Sequence, residues 1–416
     1  MNKKELITFD RVIENIKPAW RQLRGHPKKD TEGVDGESIA SFRECESENI
    51  ELLIKRLRDR SFCFSKLKPV SIPKGSKKRL ISIPCVEDRI VSRSILNVLS
   101  DICDKYQTDS NYCPIVKNYS DELSGVPKAG ASIQSFIDSG YIYAFETDII
   151  NFFPNVNKEK MIDMLKKEVG DGELLNLLDQ IINFQIDDSY GIEDIIDTGL
   201  SQGSALSPLL ANIYLNSFDL MVESLGDVRM IRYVDDLVIL CKSKERALQM
   251  EEIVSKFLKD NLCLDIHPLG ALNGSGKIKT NIVKLDGRSG SLVFLGLKFD
   301  GRRITIPSES LDKKRKEVIE TLDSKSNLLD KIADIRSSLG GFIRHYQQPH
   351  YNTKENIDGL VDSIQCLIES SFVSSYKDIF HSHPFSRSVN DDQKKKYWKL
   401  LGVDMHKLKE WPKVKK

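Results

Sequence analysis

The chain has 416 residues and a mass of 47.3 kDa, room for two or three small domains with a sizeable core. Its 62 Lys+Arg and 61 Asp+Glu leave a formal net charge of +1, which excludes a uniformly basic nucleic-acid coat but not a local basic patch. No apolar run approaches the ~20 residues of a membrane helix, the start Met1-Asn2-Lys3-Lys4-Glu5 lacks the apolar core of a secretion signal, and the eight cysteines form no Cys-x-x-Cys, so a zinc site or disulfide framework is disfavoured and a reducing cytoplasm fits.

Residues 1–60 read as helices broken by the polar turn Lys28 to Gly36. Lys68 to Pro73 and Arg79 to Pro84 read as short strands around a basic Gly-Ser-Lys-Lys turn at 75–78, a hairpin. Residues 86–105 are helical. Tyr141 to Ile150, apolar and β-branched, predicts a strand. Ser207-Pro208 predicts a helix start, with Ser as cap, and Leu206, Leu209, Leu210 and Ile213 fall at helical spacing. Met230 to Leu240 predicts two apolar strand halves with Asp235-Asp236 at the tip. Leu292 to Phe299 predicts one strand. From Ser308 the pattern is helical, with Leu311, Val318, Ile319 and Leu322 on one face. Helices and strands mix without a βαβα rhythm, so the class is α+β.

Acidic residues in apolar strands carry the chemistry. Asp148 ends an apolar run, and Asp235-Asp236 interrupts two others, although an Asp-Asp pair is poor β material. Carboxylates this close repel by about 4 kcal/mol per pair at an effective dielectric of roughly 20. A cation between them relieves the repulsion, and oxygen ligands without nearby His or Cys point to Mg²⁺. Two such ions activate a hydroxyl and steady a leaving pyrophosphate. Taken alone, the dipeptide reads first as an exposed Asp-Asp turn in an ordinary hairpin.

Phe145-Glu146-Thr147-Asp148-Ile149-Ile150-Asn151-Phe152-Phe153 resembles the first catalytic-aspartate motif of reverse transcriptases, and Arg232-Tyr233-Val234-Asp235-Asp236 resembles their Tyr-x-Asp-Asp motif. Gly199 to Leu215, with Gln202-Gly203 and Ser207-Pro208-Leu209-Leu210-Ala211-Asn212-Ile213-Tyr214-Leu215, looks like a segment of group II intron-type enzymes. Val293-Phe294-Leu295-Gly296-Leu297 is similar to their primer-grip strand. Gly33-Val34-Asp35-Gly36 and Ile72-Pro73-Lys74, with Arg79-Leu80 and Asp88-Arg89-Ile90-Val91, match the finger motifs. The segment Leu339 to Tyr346 is a looser match to the thumb. The order is that of the family.

The resemblance implies an α+β right-hand polymerase: an N-terminal helical extension (1–29), fingers and palm with an antiparallel sheet (30–300), a helical thumb (301–385) and a basic tail (386–416). It implies Asp148 and Asp235 as ligands of two Mg²⁺ ions, a backbone carbonyl from Ile149, and Asp236 as the less direct acid. Lys74 and Arg79 would reach the triphosphate of a dNTP, Gln202 and Gly203 would let the backbone approach it, and Phe153 would be the steric gate against a ribose 2′-OH. Phe152 beside it would point another way on the strand. Leu295-Gly296 would let the primer pass. Lys279-Thr280 stands where the family carries a Lys-Thr, delayed by an insertion at 269–276. Ser201 replaces the family's Pro, and neither a His-Asn-His endonuclease nor an RNase H domain follows.

Residues 302–416 carry 22 basic and 16 acidic side chains, against 40 and 45 in residues 1–301. Lys313, Lys314, Arg315 and Lys316 are the RNA-binding candidates there. A chain of this lineage without endonuclease looks like the stand-alone bacterial and defence-associated reverse transcriptases, which implies a structured noncoding RNA template, dNTPs, a cDNA product, a cytoplasmic setting and an antiviral role. The alternative is a group II intron protein lacking its endonuclease and acting as an RNA-binding maturase.

Overall fold

Apolar spacing and capping account for most elements. The computed structural model describes residues 7–25, 30–74, 77–113, 124–190, 199–201, 204–272, 276, 278–288, 290–324 and 328–380. The chain divides into two compact units, Met1–Ala129 with Phe136–Lys284, and Gly130–Ser135 with Leu285–Lys416.

Through Lys284 the order is α1 (Phe9–Glu14), α2 (Ile16–Leu23), α3 (Ile39–Phe42), α4 (Glu46–Arg58), β1 (Lys68–Lys74), β2 (Lys77–Ile83), α5 (Val86–Cys103), α6 (Val126–Asp138), β3 (Tyr143–Asp148), α7 (Phe152–Asn155), α8 (Lys158–Val169), α9 (Glu173–Ile182), α10 (Ser207–Ser224), β4 (Arg229–Tyr233), β5 (Asp236–Cys241), α11 (Lys244–Leu262) and β6 (Asn281–Lys284). In α4, Ile50, Leu53 and Leu57 make the buried stripe, while Lys55, Arg56 and Arg58 face the negative end of the helix dipole. Asn157 and Ser243 cap α8 and α11 by accepting from the amides of Lys160 and Arg246. Eleven of the 18 residues of α10 are buried, so this helix lies inside the unit rather than on its face.

The main sheet has the order β4-β5-β3-β6, antiparallel throughout. In β5, Leu237 to Cys241 are all buried, as in an inner strand covered on both faces. The strand expected to reach Ile150 stops at Asp148. Asn151 takes a left-handed φ of +45° and turns the chain into α7. Phe152 and Phe153 therefore lie on a helical turn, not a strand. Ser207 is not the cap of α10: Leu206 holds that position, and the Ser207 hydroxyl instead donates to the Ser201 carbonyl at 3.3 Å.

The second unit carries β7 (Leu292–Phe294), β8 (Leu297–Phe299), β9 (Ile304–Thr305), α12 (Ser308–Asp323), α13 (Leu328–Tyr346) and α14 (Lys354–Phe380). The single strand expected over 292–299 is two strands, because Leu295 (φ +52°) and Gly296 (φ +78°) are both left-handed and reverse the chain. Val318, Leu322, Ile335, Leu339, Ile343, Leu360 and Ile364 form the helical core. Ile319, expected on the apolar face of α12, is 41% exposed: Val318 and Leu322 stack one turn apart, and Ile319 lies about 100° round from Val318.

Candidate active site

The sheet register brings the acidic residues to one edge of the palm-like sheet. Asp148, the last residue of β3, pairs with Asp236, the first residue of β5, and Asp236 also pairs with Tyr233 of β4. The hairpin tip is thus Val234-Asp235, one residue earlier than the sequence suggested. Val234 has a φ of +61°, the position glycine fills in a type II′ turn. A β-branched residue held there costs on the order of 1–3 kcal/mol, and persists only where its surroundings enforce it.

Asp148 has two nitrogen-bearing neighbours. The Lys279 ammonium contacts its Oδ2, and His267 Nε2 lies 3.6 Å from its Oδ1. Thr280 next to Lys279 is buried, shares a 2.8 Å hydroxyl contact with Thr147, and donates to the His267 carbonyl at 2.6 Å. Thr280 thus anchors the backbone that places Lys279 beside Asp148. Asp148 Oδ1 is buried without a hydrogen-bond partner, the condition of an oxygen that a hard cation satisfies. The donor set at this edge is carboxylate, which fits such a cation, although no three acidic, His or Cys side chains among the described residues converge as a ready cage. Ile149, expected to lend its carbonyl, is buried and bridged to Ile266.

Phe153 is half-buried on α7, its ring 5.1 Å from that of buried Phe152. Its carbonyl accepts from the Leu200 amide at 2.7 Å. Gly199 before it has a φ of +71°, and a Cβ there would lie 2.0 Å from the Phe153 carbonyl oxygen, so glycine is required for this approach. The segment leading to Gln202-Gly203 is thereby anchored against Phe153 at one side and through Ser207 at the other. Gln202 and Gly203 themselves lie outside the described residues.

The β1–β2 register sets Lys74 opposite Lys77 and Arg79 opposite Ile72. These four positions fall on one face of the ribbon; the side chains of Lys74 and Arg79 lie outside the described part. A cleft of about 270 Å³ opens between Phe64, Lys66, Asp88, Gln180, Ser201 and Ser204. Burial pushes the Asp88 carboxyl up to about 7, against the lowering pull of the Ser65 amide.

In the second unit, Leu295 and Gly296 form the β7–β8 turn, and the Gly296 carbonyl accepts from the Tyr346 hydroxyl at 3.0 Å. On α12, Lys313 and Lys316 are exposed. Lys314 instead bonds Glu317 at 2.7 Å and Ser338 at 2.8 Å, and lies over the Phe342 ring. Arg315 bonds Asp312 and Ser363. Two of the four RNA-binding candidates are therefore engaged within the helical unit.

Sequence reasoning missed Arg232. It is fully buried, with Nε 2.7 Å and Nη2 2.5 Å from the two carboxylate oxygens of Asp219, while Nη1 donates to Asn212 at 3.2 Å and to the Val234 carbonyl at 2.9 Å. Burial pushes the Asp219 carboxyl up, and the guanidinium pulls it back. The legible signal was a charge in each of two apolar runs, Met230-Ile231-Arg232 and Phe218-Asp219-Leu220.

A family model described as "Reverse transcriptase (RNA-dependent DNA polymerase)" matches residues 72–268. The chain is 27% identical over 194 residues to Protein YkfC of Escherichia coli K12, covering 45% of this chain and 49% of that one. It is 23% identical over 217 residues to the Group II intron-encoded protein LtrA of Lactococcus lactis, covering 50% and 33%. The solved telomerase from Candida albicans, in complex with a fragment of telomeric RNA, aligns over 89% of this chain and 64% of its own at 13% identity, with a TM-score of 0.48. The chain spans a third to a half of the length of these two curated relatives. Across the matched segment Asp148, the Ser207 helix and the Val234-Asp235 turn follow in the order their motifs require: residues 72–268 match a reverse transcriptase domain, and the chain is similar to group II intron-encoded proteins.

Proposed function

We propose that the chain is an RNA-directed DNA polymerase that extends a 3′-OH, or a protein hydroxyl, with dNTPs on an RNA template. The observation that carries this is the register placing Asp148 against Asp236 beside the Asp235 turn, with Asp148 Oδ1 buried and unbonded. Asp148 and Asp235, with Asp236 and the Ile149 carbonyl behind them, would hold two Mg²⁺ ions, which supply activation of the hydroxyl and stabilisation of the leaving pyrophosphate. The attacking oxygen bonds the α-phosphorus, the bond to the β-phosphate oxygen breaks, pyrophosphate leaves, and the hydroxyl proton passes to solvent. Lys74 and Arg79 would neutralise the triphosphate. Gln202-Gly203 would border the nucleotide, with Phe153 against the sugar. Leu295-Gly296 would guide the primer, and Lys313 and Lys316 the RNA. Residues 30–300 would be fingers and palm, 301–385 the thumb.

The resemblance to stand-alone bacterial enzymes supports a dedicated structured noncoding RNA as template and a role in antiviral defence. The similarity to LtrA, a group II intron-encoded protein, favours a second reading as an RNA-binding maturase. Sequencing the RNA and cDNA that co-purify from cells separates them: a defined noncoding RNA with matching cDNA supports the first, intron RNA without cDNA the second.

Asp235→Asn tests the chemistry. It should abolish primer extension while leaving RNA binding nearly intact, because it removes a metal ligand and no groove contact. Incorporation within about tenfold of wild type would overturn the assignment.

A further inference from the structure

The Val234-Asp235 turn is held from two directions. On one side the backbone of Arg232 is clamped: its amide donates to the Ser110 carbonyl at 2.8 Å, and its carbonyl accepts from Tyr112 at 2.9 Å. On the other, its guanidinium crosses to α10, where Asp219 takes two of its nitrogens and Asn212 the third. That third nitrogen also grips the Val234 carbonyl. Asp219 is itself fixed by Thr108, whose hydroxyl donates to it at 3.3 Å. The carbonyl so gripped belongs to the residue with positive φ, immediately before Asp235.

A buried charge pair is a poor device for stability alone, since apolar replacements of equal volume often serve as well. Its planar fork suits it to fixing geometry: one group spans a helix and a turn at once, which a single ammonium cannot do. We infer that Arg232, braced by Asp219 and Asn212, is a positioning residue that locks the strained turn so that the Asp235 carboxylate is presented to the metal in one orientation. This rests on the reading of Asp235 as a metal ligand.

The test compares three proteins with wild type. Arg232→Met/Asp219→Leu removes both charges together, so no uncompensated charge stays buried. Arg232→Lys keeps a cation against Asp219 but not the span to Val234. Val222→Ala, a buried apolar position of α10 whose side chain takes no part in the hydrogen-bonded network, reports the effect of destabilisation alone. Folding is followed by circular dichroism, metal affinity by Mn²⁺ titration read from the free-ion EPR signal, and kinetics by primer extension against Mg²⁺ and dNTP. In the double variant the Kd for Mn²⁺ and the half-saturating Mg²⁺ should rise about tenfold and kcat should fall about 100-fold, with KM for dNTP within about threefold. Arg232→Lys should lie between the double variant and wild type, and Val222→Ala should leave metal dependence unchanged.

Mn²⁺ affinity and Mg²⁺ dependence within about twofold of wild type in the folded Arg232 variants would overturn the inference, as would an equal shift in Val222→Ala. If the double variant does not fold, Arg232→Lys decides by the same criteria. Asp235→Asn run alongside separates the two claims. Full incorporation in that variant sinks the site reading, whereas an inactive Asp235→Asn with unshifted Arg232 variants sinks only the positioning role.

Discussion

At the scale of single residues, two side chains near the loop before α10 invite direct tests. Phe153 is half-buried, with its backbone committed to Leu200 and its ring edge-on to Phe152, so Phe153→Ala removes bulk without removing a backbone contact. If the ring meets the sugar, the variant should raise kcat/KM for GTP relative to dGTP by about tenfold or more. An unchanged ratio would leave Phe153 as packing alone. Asp88 makes a pH prediction. Its folded carboxyl titrates at about 7 because burial penalises the charged form, whereas the ordinary value is 3.8. The folded chain therefore binds more protons than the unfolded chain between these values. The stabilising contribution is complete below about 4 and is lost as pH rises through about 7, with an upper figure on the order of 4 kcal/mol. Asp88→Asn keeps one acceptor for the Ser65 amide and cannot ionise. It should be more stable than wild type at pH 8 and not at pH 5, by urea denaturation; equal midpoints at pH 8 would mean the carboxyl is solvated when charged.

At the scale of elements, the turns were the least legible part and the helices the most. The helices within residues 1–60 and the Ser-Pro entry to α10 could be placed from the sequence. What spacing could not reveal was which residue of a continuous apolar run takes a left-handed φ. Val234 and Leu295 are both apolar in apolar surroundings, yet each reverses the chain, because strand pairing on either side imposes a tight turn. Lys279 was named from sequence order, but its contact with Asp148 depends on where the chain returns after the insertion at 269–276. Arg232 and Asp219 were visible as isolated charges, but nothing local says that strand and helix bring them together. The β7–β8 turn gives a prediction at this scale. Leu295 carries a side-chain penalty in the left-handed region that glycine does not, so Leu295→Gly should be neutral or stabilising despite its greater unfolded entropy. Gly296→Val should cost about 1–2 kcal/mol through its φ of +78° and a Cβ 3.3 Å from the Tyr346 hydroxyl. A raised melting temperature for Gly296→Val would contradict the turn.

At the scale of the whole molecule, charge placement matters more than the net +1. The excess of 22 basic over 16 acidic residues after Gly301 offsets the acidic excess before it, and phosphate contacts act within a Debye length of about 8–10 Å, so local charge governs nucleic-acid binding. The four adjacent cations of α12 are not equivalent. Lys314 and Arg315 are tied to Glu317, Ser338, Asp312 and Ser363, so reversing them would break contacts among α12, α13 and α14 and lose binding through lost structure. Lys313 and Lys316 are exposed, and reversing them tests charge with little packing change. Each phosphate neutralised contributes roughly 0.7–0.9 to the slope of log K against log salt, so Lys313→Glu/Lys316→Glu should flatten the slope by about 1.4–1.8 if both reach RNA. Binding should weaken across unrelated RNA sequences alike, because phosphates carry no sequence information, while the helical unit should melt as wild type does. Filter binding at several salt concentrations decides the matter: an unchanged slope would mean these lysines only solvate the helix face, and the contacts to RNA would then have to be sought elsewhere on the chain.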